Sequence, residues 1–290
     1  PERVQAEFML GEVGGFWLNI GQKTYVPIMV AEKGRVHLRM RARGAAGHGS
    51  IPNEESALVR LTRAIARLDK KRLPYHLTPV VETFIRRLAA TQPMPDSAGL
   101  LGLLDRRTAP LVLKRLLPDK SQARAFHAML HNTATPTILD AGDKLNVIPD
   151  EATCELDGRT LPGQTAQDLA REVREAIADP EVEVEILESS PPVVAQPLRS
   201  DLYATIEHIV ARDAPGVLPI PYMITGFTDA RAFHRLGMRY YGFSPLKLEP
   251  RHNLKFTELF HGVDERAPVE GFAWGQKMLI EVVSAFLGRE

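Results

Sequence analysis

Val36, Leu38, Met40 and Ala42 alternate with His37, Arg39, Arg41 and Arg43. A period of two puts the apolar side chains on one face of an extended chain, so this run predicts a strand with one buried face. Leu58, Leu61, Ile65 and Leu68 then recur at helical spacing, predicting a helix from Glu54 to about Asp69 packed on that strand. Alternation returns in "EATCELDGR", where Ala152, Cys154 and Leu156 face one way and Thr153, Glu155, Asp157 and Arg159 the other. Thr165 and Asp168 have the spacing of a capping box. Leu169, Val173 and Ile177 form the stripe of the helix that follows, and Val182, Val184 and Ile186 turn inward on a last strand. "TPTILDAGDKLNVIP" supplies one more strand ahead of a turn. From Arg35 to Leu187 the order is strand, helix, strand, strand, helix, strand. That order predicts a split βαβ sandwich, with helices on one face of an antiparallel sheet.

The leucine-rich stretch of residues 70–132, with Phe126, Met129 and Leu130 after a Ser121 cap, predicts an insertion of extra helices. "SSPPVVAQP", Ser189 to Pro197, predicts a hinge. Beyond it come a helix from about Asp201 with Leu202, Ile206 and Ile209 inward, the "GFTDARAF" turn and helix, and the strand "MRYYGF". A final amphipathic helix carries Val269, Phe272, Leu279, Val283 and Phe286. Strand and helix alternating in this way argue α/β. The first 34 residues predict strands that match neither half of the sandwich. They are expected to join residues 191–290 in one domain, with residues 35–190 inserted between.

Among 290 residues, 36 are Lys or Arg and 36 are Asp or Glu. A neutral chain offers no electrostatic reason for a nucleic acid or an anionic membrane as partner. The single cysteine, Cys154, excludes an internal disulfide framework and a multi-cysteine zinc site. It fits a reducing compartment, so a cytoplasmic protein is expected. No apolar run approaches the ~18 residues of a membrane span, and no secretory signal is visible. Pro1 in place of a methionine raises the expectation of a processed start or of a longer protein.

His48, between Gly47 and Gly49, has little packing on either side and presents an imidazole. His261 lies in the loop "FHGVDER", where a histidine is ordinarily a surface residue. Glu12, in "MLGEVGG", serves equally as a turn cap or a metal ligand. Asn146 could make an Asx turn before Pro149. Arg159, beside Glu155 and Asp157, could be part of a cross-strand ion pair worth under ~1 kcal/mol. No HExxH, GxSxG, P-loop or GxGxxG is present.

Taken in order, "GHGSIP", "NVIPDEATCELDGRTLPG", "GFTDARAF" and "HGVDER" resemble the dinuclear zinc amidohydrolases, the family of aminoacylase, glutamate carboxypeptidase, succinyl-diaminopimelate desuccinylase and carboxypeptidase S. The lead-in "EKGRVHLRMRARG" and the long insertion are most similar to the carboxypeptidase S branch. The resemblance implies a ferredoxin-like lid and dimerisation domain inserted in an α/β zinc-peptidase domain. It implies that Glu12 and His261 are zinc ligands, one to each of two ions. His48 is similar to a lid histidine that crosses a dimer interface and stabilises the oxyanion in the partner's active site. Asn146 and Arg159 match residues that hold the substrate's free carboxylate, and Gly226 and Thr228 a substrate-cradling loop. Asp229 and Glu265 match family positions for which structural roles are expected.

The implied reaction is zinc-dependent hydrolysis of an amide in a peptide or N-acyl amino acid with a free carboxylate, by a homodimer. The family's remaining metal ligands and its general base, an HxD pair, a bridging aspartate and an adjacent pair of glutamates, have no counterpart in this sequence. The chain is therefore expected to be incomplete for catalysis. A second reading is a non-catalytic dimerisation or binding module of the same descent. A third is an unrelated two-domain α/β protein.

Overall fold

The protein's structure, a computed structural model, describes residues 6–116, 120–195, 198–254, 259 and 262–288. Contacts divide the chain into unit 1, Pro1–Glu32 with Leu77–Phe126 and Val193–Glu290, and unit 2, Lys33–His76 with His127–Pro192.

In unit 1 a mixed sheet is built around β3 (Lys23–Glu32), whose neighbours are β2 (Leu18–Ile20), β10 (Val193–Val194), β11 (Val217–Ile224) and β12 (Arg239–Gly242). β1 (Phe8–Gly11) joins through β12. β3 runs parallel to β11 and antiparallel to the other three. Tyr25, Val26, Ile28, Met29 and Val30 are all buried. β3 therefore has no polar face, and its sequence is an unbroken apolar run rather than an alternation. The helix Asp201–Asp213 starts at a Ser200 cap and buries Leu202, Ile206 and Ile209.

Residues 77–126, most of the stretch read as a helical insertion, group with unit 1. The helix Pro79–Ala89 lies on β11, with the Phe84 ring 5.7 Å from Tyr222 and Arg87 Nη1 donating to Glu207 at 3.0 Å. Ser121 is not a cap, since the helix Lys120–Leu130 already contains it. The C-terminal helix, Val269–Leu287, also departs from expectation: Val269, Phe272, Leu279 and Val283 are exposed, while Gly271, Gly275, Met278 and Val282 are buried. The reason is close approach. A Cβ on Gly275 would lie 1.7 Å from the Pro245 carbonyl oxygen, so the helix seats its small residues rather than its large ones.

Unit 2 is the sandwich that the periodicity predicts. β4 (Gly34–Arg43), β6 (Thr133–Asp140), β8 (Glu151–Thr160) and β9 (Val182–Ser190) form one sheet in the order β6-β8-β4-β9, all pairs antiparallel. Val36, Leu38, Met40 and Ala42 with Ala152, Cys154 and Leu156 share a core with Leu61 and Ala64 of the helix Ala57–Lys70 and Leu169 and Val173 of the helix Ala166–Ile177. Burying that many apolar side chains, at roughly 25 cal/mol per Å2, is what holds the layers together. The first of these helices begins three residues later than predicted. Asn53 makes an Asx turn by accepting the Glu55 N–H at 2.9 Å, and Ser56 then caps the helix. The Thr165–Asp168 capping box forms, with Asp168 N–H donating to Thr165 Oγ1 at 3.1 Å and Thr165 N–H to Asp168 Oδ2 at 2.9 Å. The Thr165 hydroxyl and amide, with Arg171, pull the Asp168 carboxyl down to about 2. No described helix is long and apolar enough to cross a membrane.

Candidate functional site

The chain after β4 and the chain before β8 close on each other. β5 (Gly47–His48) and β7 (Val147–Ile148) pair antiparallel, His48 opposite Val147, and Gly49 N–H donates to the Asn146 carbonyl at 2.9 Å. His48 and Asn146 thereby share one exposed ribbon. The flanking glycines are not what projects it. Neither takes a positive φ, and a Cβ on Gly47 would meet only Ile148 Cδ1 at 3.6 Å. Pairing between the two loops does the work instead. The Ser50 amide donates to His48 Nδ1 at 3.2 Å, with the Ser50 hydroxyl 2.8 Å from the same nitrogen. An amide can only donate, so Nδ1 holds the lone pair and Nε2 the proton. The outward nitrogen is a hydrogen-bond donor with no partner among the described residues, as is the side-chain amide of Asn146.

Arg159 lies at the other end of the same sheet, opposite Arg35 on β4 and Thr133 on β6. Eight residues of β8 separate its row from the Arg43–Glu151 row that leads to the ribbon, about 27 Å at ~3.4 Å per residue. The structure brings Asn146 together with His48 and does not bring it together with Arg159. The Arg159 guanidinium makes a fork on Asp157, Nε to Oδ1 at 2.8 Å and Nη2 to Oδ2 at 3.0 Å.

Beside Arg159 is a buried polar cluster that sequence reasoning missed. Lys33, 1% exposed, donates from Nζ to the carbonyls of Ala128 at 3.0 Å and His131 at 2.9 Å. Burial pulls its pKa down to about 7; Arg159 acts in the same direction, and Asp157 and Glu172 oppose it. Glu172 accepts from Asn132 Nδ2 at 3.0 Å and pairs with His76 Nε2 at 2.6 Å, while Asn132 Oδ1 accepts the Leu161 N–H at 2.9 Å. Burial holds His127 down at about 4, so it is neutral at pH 7. The available signal was a charged pair, Glu32-Lys33, ending an apolar run with no turn residue before it.

In unit 1, Glu12 opens a turn in which Val13, Gly14 and Gly15 have φ of 62°, 118° and 77°. A buried β-branched residue in left-handed backbone is rare, and such strain gathers where a side chain must be aimed. Glu12 itself is exposed, and the Tyr240 hydroxyl donates to its carbonyl at 3.4 Å. Thr228 is buried, and both its N–H and its hydroxyl donate to Glu32 Oε2 at 2.7 Å. Its oxygen also accepts the Ala230 N–H at 3.1 Å. The Thr228 hydroxyl is thus committed to the protein, and Phe227 is the exposed part of that loop. Asp229 makes no capping bond to the helix Ala230–Arg235, and Glu265 is exposed. His261 lies outside the described residues.

Among the described residues one group of three acidic or histidine side chains is close enough to share a cation: Glu249, His252 and Glu270. Arg251 pairs with both of these glutamates and Lys247 with Glu249, so their charge is already balanced by the protein. Glu12 is in no such group, and the described residues do not by themselves complete a zinc site.

Residues 30–185 match the peptidase dimerisation domain of the M20 family. The chain belongs to the M20 peptidase family. It is 28% identical over 291 residues to the human N-fatty-acyl-amino acid synthase/hydrolase PM20D1, covering 97% of this chain and 55% of that protein. It is 26% identical over 253 residues to the probable carboxypeptidase S-like 2 of Dictyostelium discoideum, covering 86% of this chain and 46% of that one. Among solved structures, the M20 family metallo-carboxypeptidase Sso-CP2 from Sulfolobus solfataricus superposes with a TM-score of 0.58 at 14% identity, over 98% of this chain and 64% of that chain. This M20 chain therefore spans about half the length of the curated relatives it matches.

Proposed function

We propose that this chain carries the dimerising lid and the C-terminal catalytic portion of an M20 amidohydrolase that cleaves the amide of an N-acyl amino acid or peptide bearing a free carboxylate. The observation that carries the reading is the ribbon joining His48 to Asn146 on the matched dimerisation domain, with the His48 donor facing outward. An Nε2–H placed there can donate to the amide carbonyl oxygen as it gains negative charge, a role usually worth 10^2–10^3 in kcat. The Asn146 amide offers a second donor beside it. Arg159 is the guanidinium assigned to the substrate carboxylate, which would take over the planar Nε–Nη2 fork now held by Asp157. The names of the human and Dictyostelium relatives support an N-acyl amino acid or a C-terminal peptide residue as substrate.

His48 and Asn146 sit at one end of the sheet and Arg159 at the other. In a homodimer they then serve two different substrates: the ribbon reaches into the partner's site, and Arg159 stays at its own. β6 is an edge strand with Ile138 and Leu139 exposed, the features of a strand that pairs with a second copy. Zinc, held by Glu12 and His261 together with ligands supplied by the rest of a native-length protein, would lower the pKa of the attacking water. The relatives' greater length and the exposed apolar face of the C-terminal helix support an incomplete catalytic unit in these 290 residues.

Complementation tests this. At native length, His48→Ala and Arg159→Ala should each be nearly inactive. A mixed, reassembled pair should recover up to about a quarter of wild-type activity, because one site of each heterodimer has both residues intact. No recovery in demonstrated heterodimers would overturn the arrangement in trans. The second reading, a non-catalytic dimerisation module, is favoured by the Asp157 fork that already holds Arg159. Under that reading the native-length protein dimerises and hydrolyses no N-acyl amino acid or dipeptide.

A further inference from the structure

We infer that Glu32 is the positioning residue of the Gly226–Thr228 loop, an inference that rests on the proposed hydrolase reading and on that loop cradling the substrate, as the sequence resemblance implies. Glu32 is 1% exposed at the last position of β3. A carboxylate in such a place is costly unless donors converge on it. Here both donors come from one residue: the N–H and the hydroxyl of Thr228 meet at Oε2, each at 2.7 Å.

The same glutamate also marks where the loop begins. β11 ends at Ile224, whose register partner on β3 is Glu32. The chain leaves the sheet beside Glu32, passes through Thr225, Gly226 and Phe227, and returns to the Glu32 side chain at Thr228. Both ends of a three-residue loop are thus held by one residue. The Thr228 oxygen then accepts the Ala230 N–H and starts the next helix, where Asp229 makes no capping bond. Fixing Thr228 at its amide and its hydroxyl sets both its backbone and its rotamer, which leaves Gly226 and Phe227 little freedom.

The charge adds a further constraint. Burial raises the Glu32 pKa; Thr228 and Arg231 oppose that rise, and Glu12 adds to it. The Arg231 guanidinium lies over the Phe227 ring, 4.5 Å from its centroid. The two Thr228 donors that meet at Oε2 hold the loop at that residue, and the guanidinium that opposes the rise is the one that covers Phe227. The Tyr240 hydroxyl, on the Glu12 carbonyl, ties this cluster to the strained turn that carries Glu12.

The test uses the native-length protein with Glu32→Ala, Glu32→Gln, Thr228→Val and Thr228→Ser. Amide exchange is followed by mass spectrometry over residues 224–231 and, as control, over β3. In Glu32→Ala, exchange over 224–231 should quicken at least tenfold while β3 keeps its protection. kcat/KM should fall about tenfold or more, mostly through KM, and Glu32→Gln should show an intermediate loss. Thr228→Ser should stay within about twofold of wild type in both readouts, because it keeps the hydroxyl. Thr228→Val should lose activity, and adding Glu32→Ala to it should cost little more. Unchanged exchange over 224–231 in Glu32→Ala would overturn the clasp. Faster exchange with kcat/KM unchanged would overturn the positioning role and leave the functional reading standing. Should Glu32→Ala fail to fold, equal losses in Thr228→Ser and Thr228→Val would overturn the inference, and retention by serine alone would support it. A wild-type protein with no hydrolysis would sink the proposed function, and the exchange arm would still decide the clasp.

Discussion

The two ends of the unit 2 sheet are built for different tasks. At one end the His48–Asn146 ribbon is exposed and rests on two paired residues per strand, with unused donors facing outward. At the other, Lys33 Nζ is hydrogen-bonded to the Ala128 and His131 carbonyls, and His76, Glu172 and Asn132 are linked to one another and to the Leu161 amide. The apolar core between them is continuous. An end that must present groups to another molecule leaves them unpaired at the surface, where water satisfies them. An end that must hold the chain buries polar groups, and each then needs its partner, since an unsatisfied buried donor or acceptor costs roughly 1–3 kcal/mol.

The largest expected effect is at the holding end. Lys33→Ala should lower stability by about 3 kcal/mol, from the stranded carbonyls of Ala128 and His131 and the void left by the stem. A urea midpoint unchanged in this variant would mean that these contacts are dispensable. The same lysine has a pH signature. Its folded pKa, about 7, lies below the ~10.4 of an unfolded chain. Between those values the unfolded chain holds the extra proton, so stability should rise as pH increases from ~7 to ~10. Lys33→Met should flatten that rise.

A middle-sized effect belongs to a helix that both ends share. Thr165→Ala should cost about 1 kcal/mol through loss of the capping box. The Asp168 carboxyl is depressed, so its stabilisation is fully present above ~4 and is lost as pH falls through about 2. Acid unfolding of Thr165→Ala should show less of that loss. The smallest effect is at the presenting end: His48→Ala and Asn146→Ala should each change stability by less than ~0.5 kcal/mol. A loss above ~1 kcal/mol, read from thermal melts, would show that the ribbon holds the fold and would erase the contrast between the two ends.

Much of unit 2 was legible in the sequence because its signals are local. The alternation of Val36 to Arg43 specifies a buried face whichever strand comes to lie beside it. Thr165 and Asp168 satisfy each other within one helical turn, and Leu61, Leu169 and Val173 mark helix faces by spacing alone. His48 and Asn146 were legible as candidates from the short motifs that contain them, "GHGSIP" and "NVIP".

Their partnership was not, because residues 47–48 and 147–148 are about a hundred positions apart and pair only once β4 and β8 have set their register. That same register carries Arg159 away from Asn146, although thirteen residues of sequence separate them. Nor could local pattern show that Glu32 and Lys33 would be buried, since burial is a property of what covers a side chain. On the C-terminal helix the spacing of Val269, Phe272, Leu279 and Val283 described an apolar stripe, yet Gly271 and Gly275 decided which side closed on the rest of unit 1. Periodicity, a property of neighbours along the chain, determined the main strands and helices of unit 2 and their faces. Which elements meet, and so which polar side chains are buried and which are left to act, was decided by backbone pairing and close packing between distant segments.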